Sequence, residues 1–225
     1  MTEKLRIDPD IKKAETLPAS FYRNPDYFEA VKEHVFYRSW QWIGHEGLMG
    51  AGQNAYPFIL LDKFLTEPML LTRDKSERLS CLTNVCTHRG NLVVESTKAA
   101  KKLICGYHGR SFSLHGKMEH MPEFEDVENF PGTCDNLKKF PLQPWGPFLF
   151  VGLNPAFEMQ KVLDAMNKRV GFMPLQEFTL DEKRTKDYFI NANWALYCDN
   201  YLEGFHIPFV HEDLNAVLDY GNYDT

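Results

Sequence analysis

Two short segments carry sulfur and imidazole side chains in closely matched order, Cys86-Thr87-His88-Arg89-Gly90 and Cys105-Gly106-Tyr107-His108-Gly109. Thiolate and imidazole are donors that transition metals favour. Sixteen residues separate His88 from Cys105, so two loops beside neighbouring strands can offer two thiolates and two imidazoles to one centre. Gly90, Gly106 and Gly109 permit tight turns and leave backbone N–H groups able to approach bound sulfide. Four of the chain's thirteen Cys and His fall in these loops, a concentration hard to obtain by chance. Cys81 and Cys134 stand apart and read as small apolar fillers.

Two kinds of metal centre use this donor set. A Cys₂His₂ zinc site needs the same ligand types, although zinc sites more often use Cys-x₂₋₄-Cys knuckles. A Rieske-type [2Fe–2S] cluster takes two Cys on one iron and two His on the other. Neutral imidazoles in place of anionic thiolates lower its negative charge and raise its potential. One Cys-x-His pair followed by one Cys-x-x-His pair favours the cluster. Cys86, His88, Cys105 and His108 are its candidate ligands.

A second constellation lies in Asn193-Trp-Ala-Leu-Tyr-Cys-Asp-Asn-Tyr-Leu-Glu203-Gly-Phe-His206-Ile-Pro-Phe-Val-His211. On one helix from Asn193 to about Phe205, with His206 next in register, Asp199, Glu203 and His206 share a face, while Trp194, Tyr197, Tyr201 and Phe205 could anchor another in a core. Pro208 forces a bend that would bring His211 back toward His206. Two histidines and a carboxylate are the ligand set of non-haem Fe(II) oxygenases. A solvated helix face with the same residues is the bland alternative.

These side chains need elements to hold them. Asn24-Pro25-Asp26 reads as a helix cap, first turn and acidic start, predicting a helix to about Tyr37 with Phe28, Val31, Val35 and Phe36 inward. From Ser39 short strands are expected at Trp40–Ile43, Tyr56–Leu61, Met69–Thr72, Leu79–Thr83, Leu103–Cys105 and Pro147–Leu153. They make a small antiparallel β-domain. A helix start recurs at Asn154-Pro155, with Phe157, Val162, Met166 and Val170 in helical period, and Thr185–Ile190 fits a strand. The net charge of −6 argues against nucleic acid or an anionic membrane as partner. No apolar run reaches the length of a membrane span, no export signal is visible, and five cysteines form no disulfide scaffold. A cytoplasmic setting with reduced thiols is the expectation.

Taken in order, Cys-x-His-Arg-Gly, Cys-x-x-His-Gly and Asp199-Asn-Tyr-Leu-Glu203-x-x-His206-x₄-His211 resemble the catalytic α-component of the Rieske non-haem iron oxygenases. The Asn-Tyr-Leu-Glu-Gly wording is closest to the branch of choline and other quaternary-ammonium monooxygenases. The resemblance implies an α+β chain: residues 1–38 packing on the catalytic domain, 39–155 a Rieske domain, and 156–225 the beginning of a helix-grip catalytic domain. It implies a mononuclear Fe(II) on His206 and His211. Glu203 would stand where the family has a carboxylate bridging an iron-ligating His to a Rieske His of a neighbouring subunit, here His108, in a ring-shaped homotrimer. Three departures stand out: Arg110 replaces the usual Trp after His-Gly, Glu203 replaces the commoner Asp, and the family's distal Asp ligand has no counterpart before Thr225. Asp213, Asp219 and Asp224 lie too near His211 to match it. The expectation is therefore a fragment, inactive by itself.

The function so implied is electron relay from a separate NAD(P)H-dependent reductase or ferredoxin, through the cluster, to an Fe(II) that activates O₂ for hydroxylation or demethylation of a small organic substrate. No GxGxxG fingerprint is present, so a partner must accept the hydride. The alternative, a Rieske ferredoxin-type carrier, needs only the β-domain and leaves the Glu203, His206 and His211 segment without a purpose.

Overall fold

A computed structural model describes residues 5–218. Helix α1 (Ala19–Arg23) leads into α2 (Pro25–Val31), where the Asn24 side chain caps the first turn by accepting the Asp26 N–H at 2.8 Å. The predicted single helix to Tyr37 does not continue: residues Lys32–Phe36 widen into a π-helical turn. Tyr27 and Val31 are buried and Phe28 is only half-buried, while Val35, within the wider turn, is exposed.

Ten strands follow. They are β1 (Trp40–His45), β2 (Ala55–Leu60), β3 (Glu67–Arg73), β4 (Leu79–Thr83), β5 (Leu103–Ile104), β6 (Ser111–Phe112), β7 (Met118–His120), β8 (Lys139–Phe140), β9 (Leu142–Trp145) and β10 (Phe148–Gly152). They form three antiparallel sheets of order β1-β10-β9, β2-β3-β4-β8 and β5-β6-β7. The four-stranded sheet is the middle layer, because its central strands are buried on both faces. Met69 and Cys81 point into a core with Val151 and Leu153, while Leu70 and Leu82 point into another with Leu103, Phe112 and Met118. Period-two alternation therefore appears as two apolar faces. The second of these cores also contains Cys86 and Cys105, so the two predicted sulfur ligands are seated in packed apolar surface.

Helix α3 (Met159–Val170) begins later than predicted, after Glu158, and turns Met159 and Leu163 inward, leaving Phe157 and Val162 exposed. Trp145 Nε1 donates to Asn167 Oδ1 at 2.8 Å, and Trp40 Nε1 to the Phe157 carbonyl at 3.0 Å, tying this region to the sheets. Residues 32–184 form one compact unit.

A second unit combines the chain up to Val31 with the chain from Thr185. Its later helices are α4 (Trp194–Leu202), α5 (Ile207–Val210) and α6 (Glu212–Val217). Within it, Tyr22 Oη donates to Asp199 Oδ2 at 2.7 Å and Asn193 Nδ2 to the Tyr22 carbonyl at 3.0 Å. The segment 185–190 joins none of the three sheets, against the strand predicted there. Its apolar pattern suits a strand, but pairing is a non-local matter that the pattern does not supply.

Candidate functional site

The two ligand loops are built alike. Cys86 N–H donates to the Asn91 carbonyl at 2.8 Å and Gly90 N–H to the Cys86 carbonyl at 3.0 Å. In the other loop Cys105 N–H donates to the Arg110 carbonyl at 2.9 Å and Gly109 N–H to the Cys105 carbonyl at 3.1 Å. Gly90 and Gly109 close these turns at φ +73° and +72°, a region where a Cβ is strained. The base of the first loop is clamped by buried Asn84, whose side chain accepts the Val94 N–H at 2.9 Å and donates to the Val94 carbonyl at 2.7 Å.

The loops bring the four predicted ligands together. The Cys86 and Cys105 thiols lie close enough to act on each other's charge, and the His88 and His108 rings lie 4.6 Å apart between centroids. Sulfur thus faces sulfur and imidazole faces imidazole, the pairing that two irons with unlike ligands require. His88 Nδ1 is buried and has no hydrogen-bond partner among the described residues. An imidazole nitrogen sequestered in this way is a costly orphan, unless a metal takes it.

The electrostatics favour ligating forms at two of the four. Burial first, then the His108 ring and the Arg110 and Arg89 guanidinium groups, hold His88 below its ordinary value and keep its imidazole neutral. At Cys105 burial pushes the thiol up, but the Tyr107 amide, the Cys86 thiol, Asn91 and the His108 amide outweigh it, and the net shift is downward. Asn91 Nδ2 lies 3.8 Å from Cys105 Sγ. At Cys86 burial dominates and the thiol is raised. A bound metal supplies the missing stabilisation of that thiolate.

Cys81 sits within the middle sheet, where burial pushes its thiol up to about 12, as befits an inert filler. Cys134 is exposed and fills no core, contrary to expectation.

The second constellation differs from the sequence reading. Helix α4, capped by Asn193 through the Ala195 N–H, stops at Leu202, and Glu203 is extended at φ −122° and ψ 151°. The reason is local: Glu203 Oε2 accepts the Phe205 N–H at 2.6 Å, withdrawing that amide from the helical ladder. Asp199, Glu203 and His206 therefore share no continuous helix face, and Asp199 turns to Tyr22. Pro208 is the second residue of the new short helix α5 and kinks no older one. Tyr197, Tyr201 and Phe205 are exposed and do not anchor α4 in a core within this chain.

Convergence is achieved nonetheless. One turn of α5 separates His206 from His211 and sets their rings 5.1 Å apart. His206 Nδ1–H donates to Glu203 Oε1 at 2.5 Å, which leaves Nε2 as the nitrogen able to bind a metal. Burial raises the Glu203 carboxyl, but the hydrogen bonds from His206 and the Phe205 amide outweigh it and the net shift is downward. Asp213 lies in the first turn of α6, and Asp219 and Asp224 lie outside the described residues.

Among the described residues no three His, Cys, Asp or Glu side chains close on one point.

Comparison with known proteins agrees with this geometry. Residues 39–131 match the Rieske [2Fe-2S] domain, and residues 175–223 match the ring hydroxylating alpha subunit catalytic domain. The chain thus carries a Rieske [2Fe-2S] domain followed by a part that matches a ring hydroxylating alpha subunit catalytic domain. The two domains imply a [2Fe–2S] cluster and a mononuclear non-haem iron as their resident groups.

Choline monooxygenase of Arabidopsis thaliana is 26% identical over 97% of this chain and 54% of its own length. The carnitine monooxygenase oxygenase subunit of Escherichia coli is 29% identical over 94% and 56%. The chain thus spans about half the length of the curated relatives it matches. In fold it is similar to a quaternary ammonium Rieske monooxygenase solved with L-carnitine, at a TM-score of 0.72 and 23% identity over 91% of this chain and 58% of that one. Naphthalene 1,2-dioxygenase from Rhodococcus gives 0.64 and 19% over 89% and 46%. No helix of the described residues is long and apolar enough to cross a membrane.

The sequence reading did not foresee Asn84, Asn91, Thr87 and Asp135 as supports of the ligand loops. Asn91 had a signal, its place directly after the His-Arg-Gly turn. Thr87 lies between two ligands, and its Oγ1 donates to the Asp135 carbonyl at 2.7 Å.

Proposed function

We propose that the chain belongs to the oxygenase component of a multi-protein system, in which a separate NAD(P)H-dependent reductase or ferredoxin delivers electrons to a cluster held by Cys86, His88, Cys105 and His108. They pass to an Fe(II) held by His206 and His211, for O₂-dependent hydroxylation or demethylation of a small organic molecule. The observation that carries this reading is the convergence of the two ligand loops on a sequestered His88 Nδ1, together with the His206–His211 pair. A carrier of electrons alone has no use for the second pair.

When bound, the cluster supplies one-electron transfer and the mononuclear iron supplies O₂ activation. The chain's own residues prepare both sites. Glu203 fixes the tautomer and orientation of His206 by taking its Nδ1–H. Asn91 and the amides beside Cys105 favour the thiolate. We infer further that Glu203 links His206 to His108 of the partner subunit, which makes a homotrimer the working assembly. Small quaternary ammonium compounds are the substrates to test first, given the choline and carnitine monooxygenases among the relatives. The cytoplasm, which keeps thiols reduced, is the compartment that suits unpaired Cys86 and Cys105.

The test is metal and sulfide analysis of the purified protein, with visible absorption and electron paramagnetic resonance. The reading requires acid-labile sulfide and a Rieske-type signal. In the full-length protein, His206→Ala should remove the mononuclear iron and turnover of the quaternary ammonium substrate, and leave the cluster spectrum unchanged. Zinc without sulfide would overturn the cluster assignment. A cluster with no iron sensitive to His206→Ala would reduce the protein to an electron carrier.

A further inference from the structure

Arg110 follows the second ligand loop directly, and it is only 4% exposed. Burying a guanidinium is costly, so its surroundings need an explanation. One Nη1 donates to Thr87 Oγ1 at 2.8 Å and to Asp135 Oδ1 at 3.2 Å, and the guanidinium lies 5.5 Å from the centroid of the Phe130 ring. Its Nε is buried with no hydrogen-bond partner among the described residues. Thr87 stands between Cys86 and His88, so this one side chain reaches from the Cys105–His108 loop to the middle of the other loop.

The ion pair is lopsided. Asp135 is more open to water than Arg110, with side-chain exposures of 19% and 5%. Its Oδ2 is further occupied by the Gly132 N–H at 2.9 Å. Water and that amide stabilise the carboxylate's charge locally, while the guanidinium sits in low dielectric, where its field reaches further.

We propose that Arg110 is a positioning residue for the [2Fe–2S] centre that clamps the two ligand loops together and sets the centre's reduction potential through its buried positive charge. Reduction adds one electron, hence one negative charge, to the cluster, and a fixed buried cation beside it favours the reduced form. The net charge around the cluster and its burial are the general levers on such potentials. Asp135 offsets part of the effect. The two side chains of the pair therefore push the potential in opposite directions. A purely structural clamp would not show that signature, because losing either partner would loosen the same loops. The proposal rests on the cluster assignment made above.

The experiment is a spectroelectrochemical titration of the purified chain and its variants, read by visible absorption and circular dichroism. Arg110→Gln should lower the equilibrium constant for one-electron reduction about tenfold, a fall of about 59 mV. Asp135→Asn should raise it by about threefold, and Arg110→Lys, which keeps the charge, should stay within about twofold of the wild type. If Arg110→Gln retains no cluster, Asp135→Asn decides: a rise supports the proposal and an unchanged or lowered potential overturns it. Two shifts of the same sign, or neither exceeding twofold, would overturn it as well. Wild-type protein without acid-labile sulfide would remove the centre itself, and this proposal with it. An intact cluster with unmoved potentials would overturn the role of Arg110 alone.

Discussion

Replacing Asn84 by Ala tests how the first ligand loop is held. The side chain is 3% exposed and makes two hydrogen bonds to one residue, accepting from the Val94 N–H at 2.9 Å and donating to its carbonyl at 2.7 Å. Val94 is itself 1% exposed, so Ala leaves both of its backbone groups buried without partners. Each orphaned group costs about 1–3 kcal/mol, and a water entering the vacated space recovers part of this, so about 2–4 kcal/mol should be lost. With a urea dependence of roughly 2 kcal/mol per molar, the unfolding midpoint should fall by about 1–2 M. The assay is anaerobic urea titration followed by cluster absorbance and far-ultraviolet circular dichroism, where both signals should move together. Asn84→Asp is the informative companion, since it keeps the shape and an acceptor but buries a carboxyl. Burial raises the folded-state pKa of that carboxyl above its unfolded value, so the variant should lose stability as pH rises from about 4 toward 8. A midpoint shift below about 0.3 M for Asn84→Ala would refute the reasoning, and would mean that the loop is held by its other contacts.

Three further outcomes are expected. Cys86→Ser or Cys105→Ser should abolish the cluster spectrum and destabilise the β-domain, since ligand binding contributes to its folding; a retained spectrum would exclude that residue as a ligand. Asp74 is held well below the usual carboxylate range, first by the Arg78 backbone N–H; burial, the next effect in size, opposes this, and the Arg78 side chain, the Ser76 N–H and His115 together outweigh it. It should therefore contribute stability above pH about 4 that is lost as pH falls below this, and melting temperatures between pH 7 and 3 should flatten in Asp74→Asn. Tyr22→Phe removes the 2.7 Å bond to Asp199, which should cost roughly 0.5–1.5 kcal/mol and speed amide exchange in α1 and α4, with no change in the cluster spectrum.

The sequence is most legible where a feature depends on near neighbours. Strand β4 lies at Leu79–Thr83 as expected, because an apolar run between turn residues has one plausible use. The cluster loops are legible for the same reason: four donors, their spacing and their glycines are all local. Strands β6 and β7, of two and three residues, are too short for a period to register. In β9, Pro144 argues against a strand. With β5, the short β6 and β7 nevertheless form the sheet packed beside Cys86 and Cys105, so loops whose chemistry is plain in sequence stand on a scaffold that is not.

The second site shows the converse limit. The sequence sets Glu203, His206 and His211 close together, but the helix predicted for them is too long, because Glu203 has two competing uses. As a helical residue it would place its carboxylate near His206 by periodicity alone. In the structure it leaves the helix, and its two oxygens take the His206 Nδ1–H and the Phe205 amide separately. Helix propensity does not foresee this, since the gain comes from a charge-assisted bond to one particular side chain. The same bond aligns the His206 ring, so the break that defeats the secondary-structure reading is also what prepares the site. A carboxylate on a straight helix could approach His206, but could not hold the Phe205 amide as well. The paired bonds restrict the motion of Glu203 and of His206 with it, and leave α5 to set the spacing to His211.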